Sequence, residues 1–249
     1  MVEFNETRAR LYHEALTKYP IARLEDIEVM KTYLNPMPND KILGIGEGDG
    51  YFYKHIANAI GIKGEHLATD PSYEQLKNLD AKIQIAGAEE IDVPENYFDK
   101  VWTFGAFHHC PNQTEAMRRM YRTLKPGGKL VICDVFSGST LAKHFDSQVA
   151  KYCATGHEVK FLSESFAQSL CQLTGFKGEI YDLPLQWHFD TLNDMGEFIY
   201  KLHAMTKLSG NYKEKLKHIV RECKNILGIE ETQKGLALNW PMKVLVATK

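Results

Sequence analysis

The sequence predicts an α/β protein with a doubly wound, mostly parallel sheet, and two observations support this prediction. Short apolar runs alternate with segments of helical spacing between residues 41 and 135, which is the pattern of strands joined by crossover helices. A glycine-rich turn separates the first apolar run from the helical segment that follows it. Together they predict a sheet whose ligand crevice lies at the carboxyl ends of the strands.

The glycine turn lies in the stretch KILGIGEGDGYFY, residues 41–53. The apolar run 42–45 is expected to form a buried strand, and Gly46, Gly48 and Gly50 follow it at every second position. A strand, a glycine turn and a helix in this order present backbone N–H groups and a helix N-terminus to a ligand. An ordinary tight turn has the same pattern, so the turn alone is weak support. Its spacing differs from the dinucleotide fingerprint G-x-G-x-x-G.

The remaining elements follow from periodicity and from proline and glycine positions. Further strands are predicted over 66–70, 82–86, 100–104, 129–135, 177–183 and 242–247. Helices are predicted over 3–18, 24–33, 51–60, 72–79, 113–124, 141–154, 164–173, 192–207 and 212–227. We divide the chain into an N-terminal helical cap (1–37), a core (38–185), a helical insertion (186–238) and a final core strand (239–249). The cap and the insertion are expected to form a lid.

Composition narrows the function classes. The chain has 249 residues, 44% hydrophobic and 25% charged, as in ordinary globular domains. Its net charge of −2 and lack of a basic patch disfavour a nucleic-acid partner. No apolar run reaches the roughly 20 residues of a membrane span, and no secretory signal is evident. Five scattered cysteines without a C-x-x-C pair indicate neither a zinc site nor disulfides, so we expect a cytoplasmic protein with reduced thiols.

Three motifs give the chain a family resemblance. The glycine turn is followed by Asp70 at the end of the second predicted strand, and LKPGG at 124–128 leads into the fifth strand. With these motifs in this order the chain resembles the class I S-adenosylmethionine-dependent methyltransferases, firmly over residues 38–136. The resemblance implies a Rossmann-like, seven-stranded sheet whose last strand enters antiparallel between strands five and six. It also implies S-adenosylmethionine as cofactor and methylation of O, N or C in a small organic molecule.

The resemblance places the cofactor along the carboxyl edge of the sheet. Asp70 would bind the ribose hydroxyls, the glycines would let the backbone approach the methionyl and ribose portions, and Phe104 would contact the cofactor through its backbone. The expected cofactor-binding residues are Gly44, Gly46, Glu47, Gly48, Asp70, Pro71, Ala88, Glu89 and Phe104.

Two positions depart from the family pattern. The family usually carries an acid where this chain has Gly44, and often carries Asp where it has Gly87. Glu47 and Glu89 are acids that could offset these losses. The departures support a second hypothesis, in which the protein binds the cofactor without methyl transfer, as in a cyclase or a regulator. A nicotinamide-dependent oxidoreductase and a nucleic-acid methyltransferase are further alternatives, which the glycine spacing and the charge disfavour.

Histidines are the candidate catalytic residues. His108 and His109 follow the fourth strand directly, at the edge where ligands bind in open α/β sheets. Either could accept a proton from a hydroxyl or an activated carbon near neutral pH. The same pair could instead cap the next helix or pack beneath the cofactor, and the sequence does not distinguish the two histidines.

Four residues outside the core are candidates for the substrate side. Tyr19 could cover the site, and Arg23 could pair with the methionine carboxylate of the cofactor. His157 and His188 lie in predicted loops that could reach the same mouth. Packing or solvent-exposed roles are the simpler interpretation of each. No metal site is predicted, and we expect a monomer or a homodimer.

Overall fold

A computed structural model describes residues 4–61, 63–233 and 235–249. Its strands form one sheet in the order β3-β2-β1-β4-β5-β8-β6, with β7 paired to β8. The strands are β1 (Lys41–Ile45), β2 (Glu65–Asp70), β3 (Lys82–Ile85), β4 (Phe98–Phe104), β5 (Leu124–Asp134), β6 (Lys177–Phe189), β7 (Ile229–Thr232) and β8 (Gly235–Thr248).

Helices precede, connect and follow these strands. A 3₁₀ turn at Phe107–His109 follows β4, and a π-helical turn at Phe145–Val149 joins α6 to α7. The helices are α1 (Glu6–Lys18), α2 (Leu24–Leu34), α3 (Tyr53–Ile60), α4 (Tyr73–Leu76), α5 (Gln113–Thr123), α6 (Thr140–His144), α7 (Ala150–Tyr152), α8 (Glu164–Thr174), α9 (Leu192–Leu202) and α10 (Tyr212–Ile226).

The sheet confirms the predicted topology. β1 pairs in parallel with β2 and β4, β2 with β3, and β4 with β5. β8 runs antiparallel to β5 and lies between β5 and β6, as the family resemblance implied. Among the described residues the sheet has one strand more than the predicted seven, because β7 pairs antiparallel with the start of β8. The central strands are buried on both faces, which explains their continuous apolar runs.

Three strands extend at least five residues beyond their predicted ranges. β5 begins at Leu124 rather than at residue 129, β6 extends to Phe189 rather than ending at residue 183, and β8 begins at Gly235 rather than at residue 242. In β6 the extension alternates buried Leu185, Trp187 and Phe189 with less buried residues between them, which is the period of a strand. The predicted end of this strand at residue 183 was therefore wrong.

Helix ends follow the expected capping chemistry. Ser163 caps α8, since its hydroxyl accepts a hydrogen bond from the Phe166 N–H, and Gly175 ends that helix in the left-handed conformation. The sequence predicted this helix over 164–173, within one residue of both observed ends. Asn211 and Glu214 form a reciprocal capping box at the start of α10.

The chain divides into two compact units. The cap unit comprises Met1–Asp26, Gly138–Glu158 and Pro184–Met242, and the core unit comprises Ile27–Ser137, Val159–Leu183 and Lys243–Lys249.

Among the described residues, no helix is both long enough and apolar enough to cross a membrane. All five cysteines are buried, and no disulfide joins them.

Candidate active site

The glycine turn between β1 and α3 is held against the end of β2. The Glu47 N–H donates to the carbonyl of Thr69 at 3.0 Å, and the Gly48 N–H donates to Oδ2 of Asp70 at 3.2 Å. The turn is therefore fixed in place by the neighbouring strand, with its glycines at the carboxyl edge of the sheet.

Gly46 brings the turn into close contact with the loop after β4. It has φ of +65°, and a Cβ built on it would lie 2.3 Å from the Cβ of Ala106. Both the left-handed backbone and this close approach require glycine. The glycine turn and the segment that leads to His108 are therefore neighbours in the core unit.

Asp70 ends β2 with its carboxylate buried under the turn. Oδ2 accepts the Gly48 N–H, and Oδ1 accepts the Ser72 N–H at 2.8 Å. A carboxylate oxygen has two acceptor positions, so each oxygen keeps one for a ligand hydroxyl. Burial raises the pKa of Asp70 to about 6, although both backbone N–H groups oppose the shift. This pair of acceptor oxygens fits the two hydroxyls of a ribose.

Glu47 fills the space beside Gly44. Its carboxylate is fully buried, with Oε2 3.2 Å from Nε2 of His66, and burial raises the pKa of Glu47 despite that neighbour. A Cβ at Gly44 would lie 2.1 Å from this Oε2 and 2.9 Å from Nε2 of His66. The buried carboxylate of Glu47 thus packs in the space that a side chain at position 44 would need.

The cofactor-binding residues predicted after β3 also lie in the core unit. Ala88 is buried, and Oε1 of Glu89 accepts the backbone N–H of Asn112 at 2.8 Å, where Asn112 caps α5. A Cβ at Gly87 would meet only Oε2 of Glu89, at 3.4 Å, so this position has room for a side chain. Phe104 ends β4, whereas Pro71 is exposed after β2. Their cofactor contacts stay predictions.

A histidine–aspartate pair lies at the ends of β4 and β5. Nδ1 of His108 is 2.5 Å from Oδ1 of Asp134, and the His108 backbone N–H donates to Oδ2 at 3.0 Å. Both side chains are buried. Since Asp134 accepts from Nδ1, it holds the imidazole proton on that atom and leaves Nε2 as the basic nitrogen. This pairing is the arrangement of a general base with its orienting carboxylate.

The structure distinguishes His108 from His109, which the sequence did not. The His109 ring lies 4.1 Å from the His108 ring and is only partly buried. Asp134 is the residue that sequence analysis missed. Like Asp70, it is an acid at the end of a core strand, so the rule that identified Asp70 could have found it.

Arg23 and Tyr19 each have a partner within the cap unit. The Nε of Arg23 donates to Oδ2 of Asp26 at 2.6 Å, and both side chains are buried. The Tyr19 hydroxyl donates to Oδ1 of Asp194 at 3.2 Å, and burial raises its pKa. Neither acid was part of the sequence argument, and the predicted cofactor and substrate roles of these residues stay predictions.

The two loop histidines differ in environment. His157 is buried, with its ring 5.0 Å from that of Phe145. His188 lies on β6 rather than in a loop, and its Nε2 is 2.8 Å from Oε1 of Glu25, with both side chains about two-fifths exposed. The loop assigned to His188 was wrong because β6 continues through it.

Part of the core unit is similar in sequence to known methyltransferases. Residues 43–132 match a family model described as a methyltransferase domain. Over 108 residues the chain is 29% identical to the ubiquinone/menaquinone biosynthesis C-methyltransferase UbiE of Vibrio cholerae. This alignment covers 39% of this chain and 42% of that protein. The chain thus matches less than half the length of this curated relative.

Solved structures share the fold over most of the chain. Phosphoethanolamine N-methyltransferase 2 of Haemonchus contortus, in complex with S-adenosyl-L-methionine, has a TM-score of 0.67 and 18% identity, covering 99% of this chain and 58% of that chain. The cyclase SpnF has a TM-score of 0.59 and 15% identity, covering 90% and 80%. At these identities the likeness shows a common fold.

The packing of Gly44 against Glu47 is testable by a double-mutant cycle. We expect Gly44→Ala to destabilise the protein by about 1–3 kcal/mol, because the new methyl group overlaps the buried carboxylate. In a Glu47→Ala background the same change should be less destabilising. Urea unfolding of the four proteins measures the coupling, and equal effects in both backgrounds would contradict this packing.

Because Asp70 is buried, replacing it with a neutral residue should stabilise the protein by an amount that depends on pH. A carboxyl whose pKa is raised by folding contributes stability below its unfolded pKa and loses it as pH rises through about 6. As pH rises from 4.5 to 7.5, the unfolding free energy of Asp70→Asn relative to that of wild type should therefore increase by about 1–3 kcal/mol. Denaturant unfolding at both pH values tests this. The control is Asp92→Asn at an exposed position, and a pH-independent difference for Asp70→Asn would refute the expectation.

Proposed function

The chain carries a class I S-adenosylmethionine-dependent methyltransferase domain, and we propose that it methylates a small organic acceptor that must lose a proton. The observation that supports this reaction most strongly is the buried His108–Asp134 pair. It lies at the carboxyl edge of the sheet, in a loop that contacts the glycine turn through Ala106 and Gly46.

The core residues fit the cofactor. Asp70 offers an acceptor position on each carboxylate oxygen, both at the end of β2, where a ribose would lie. The turn at Gly46 and Gly48 allows the backbone to approach the ligand without a Cβ in between. Bound there, S-adenosylmethionine would supply an electrophilic methyl group on a sulfonium.

His108 would then remove the acceptor's proton. Its Nε2 accepts a proton from an O–H or an acidic C–H as the nucleophile forms its bond to the methyl carbon, and Asp134 stabilises the resulting imidazolium. The acceptor loses a proton and gains a methyl group, while the sulfonium becomes a neutral thioether. A neutral amine needs no base to attack, so the pair favours carbon or oxygen acceptors. The similarity of part of the chain to a C-methyltransferase is consistent with this preference.

A cofactor-binding protein without methyl transfer is the second candidate. Gly44 and Gly87 replace residues that the family usually uses, and the cyclase SpnF shares the fold. The packing of Glu47 against Gly44 weakens the first of these arguments, because an acid is present in the same volume. The two candidates differ in one product, since only methyl transfer releases S-adenosylhomocysteine.

Cofactor binding is tested first, by calorimetric titration with S-adenosylmethionine, S-adenosylhomocysteine and NAD. We expect micromolar binding of the two sulfur ligands and none of NAD. Asp70→Ala should weaken that binding at least 10-fold, because two charge-assisted hydrogen bonds to the ribose are lost. Asp92→Ala serves as the exposed control. Equal affinity of Asp70→Ala and wild type would contradict the assignment of Asp70.

Methyl transfer is tested by S-adenosylhomocysteine release with 1,4-dihydroxynaphthalene, catechol and ethanolamine phosphate as carbon, oxygen and nitrogen acceptors. We expect turnover with one of the first two. His108→Ala and Asp134→Asn should each lower kcat by about 10²–10⁴-fold with little change in cofactor Kd.

The control for turnover is His109→Ala, which should be much less affected, and added imidazole should partly restore His108→Ala. Full activity of His108→Ala would remove the base assignment. Cofactor binding without product from any acceptor would favour the second candidate.

A further inference from the structure

A short segment of the core unit lies against the 3₁₀ turn that follows β4. We call this segment, residues 159–162, the returning segment, because the chain re-enters the core unit there. Leu162 forms a parallel bridge with Phe136, and the Leu162 carbonyl accepts the Ser137 N–H at 2.8 Å. Both partners lie just after β5. The returning segment is therefore anchored beside the end of a core strand.

The returning segment contacts both the backbone and the ring of His108. The Lys160 N–H donates to the His108 carbonyl at 3.0 Å. The centroid of the Phe161 ring lies 5.5 Å from that of the imidazole. Because Asp134 accepts the His108 N–H, both backbone polar groups of His108 have partners outside its own turn. The direction of the imidazole is therefore set by two elements, the end of β5 and the returning segment.

Gln113, the first residue of α5, bonds the returning segment to the turn. It is buried, and its Nε2 donates to the Lys160 carbonyl at 2.7 Å and to the Phe107 carbonyl at 3.4 Å. The first bond is short and the second is long, and the Phe107 carbonyl also accepts the Cys110 N–H at 3.1 Å. The amide of Gln113 therefore acts chiefly on Lys160, the residue whose N–H bonds the His108 carbonyl.

The bonds of Gln113 serve the neighbouring loops rather than its own helix. A glutamine NH₂ group carries two donors, so it can bond two carbonyls at once. The start of α5 is capped separately, since the side chain of Asn112 accepts the Glu115 N–H at 3.1 Å. A buried carbonyl that loses its donor costs free energy. Without the amide, the returning segment would therefore shift or admit water beside the turn.

We propose that Gln113 is a positioning residue for the His108 base. This deepens the proposed function and rests on it, since it specifies what keeps the base of that reaction in place. Gln113 holds the returning segment, and that segment holds the carbonyl and the ring of His108, while Asp134 holds its N–H and Nδ1. These contacts direct Nε2, and a misplacement of about 1 Å at a reacting group can lower a rate by about 100-fold.

The kinetic test uses Gln113→Met, which keeps the length of the side chain and removes both donors. The acceptor is whichever of 1,4-dihydroxynaphthalene and catechol the wild-type protein methylates. We expect kcat to fall by about 10–100-fold, while the acceptor KM and the cofactor Kd stay within about two-fold of wild type. Gln168→Met is the control, because Gln168 is exposed on α8, and its kcat should equal that of wild type. Unchanged kcat in Gln113→Met would overturn the proposal.

A double variant separates positioning from a general structural role. In a His108→Ala background no imidazole remains to be directed, so Gln113→Met should change the residual kcat by less than about two-fold. Added imidazole should restore His108→Ala and the double variant to the same extent, since a free base is not held by the returning segment. A fall in kcat as large as that in the wild-type background would overturn the proposal.

Proton NMR of the cofactor-free full-length protein tests the positioning without turnover. The Nδ1 proton of His108, bonded to Asp134, is identified as the signal that disappears in His108→Ala. In Gln113→Met this proton should exchange with water about 10-fold faster than in wild type, because the turn opens more often. Gln113→Glu, which replaces the two donors with an acceptor oxygen, should act in the same direction and serves if Gln113→Met does not fold. Equal exchange rates in wild type and variant would overturn the proposal.

The kinetic and NMR measurements together distinguish this inference from the proposed function. Methylation by wild type with a normal kcat in Gln113→Met would overturn only the positioning role. No product from wild type, with faster Nδ1 exchange in Gln113→Met, would overturn the proposed reaction and leave the positioning of His108 standing.

Discussion

Two buried carboxylates at the carboxyl edge of the sheet organise the loops of the core unit. Asp70 accepts backbone N–H groups from the glycine turn and from the segment that begins α4, and Asp134 accepts the backbone N–H and Nδ1 of His108. Asp70 pairs with Ile85 of β3 and Asp134 pairs with Lys243 of β8, so the position of each is set by the ladder rather than by the loop it holds. Charge-assisted hydrogen bonds to such fixed acceptors are the strong ones in a protein interior, and they keep the loops pre-organised for a ligand.

The sequence predicted the parts of the fold that depend on short-range patterns. The strand at 42–45, the glycine turn and the helix over 164–173 were all predicted from local spacing, and the structure confirms them. Asp70 was identified because it ends an apolar run at a known distance from the turn, and its role in cofactor binding stays a prediction.

Features that depend on long-range packing were not predictable in the same way. The extension of β6 was missed because residues 186–189 were assigned to the segment that leads into the helical insertion, whereas pairing in a sheet sets the strand's length. The ion pair of Arg23 with Asp26, three residues along, was not predicted, because no local pattern marks both side chains as buried. The pairing of His108 with Asp134 joins residues 26 positions apart, which no local pattern reveals.

The fit of Glu47 beside Gly44 has a consequence for how relatives of this chain are compared. An acid at position 44 and the present conformation of Glu47 exclude each other, because both require the same few cubic ångströms next to His66. The two positions should therefore vary together: we expect an acid at position 44 only in relatives whose residue 47 leaves this space empty. Scoring position 44 by itself would count its glycine as a lost motif residue, although the carboxylate of Glu47 occupies the space beside it.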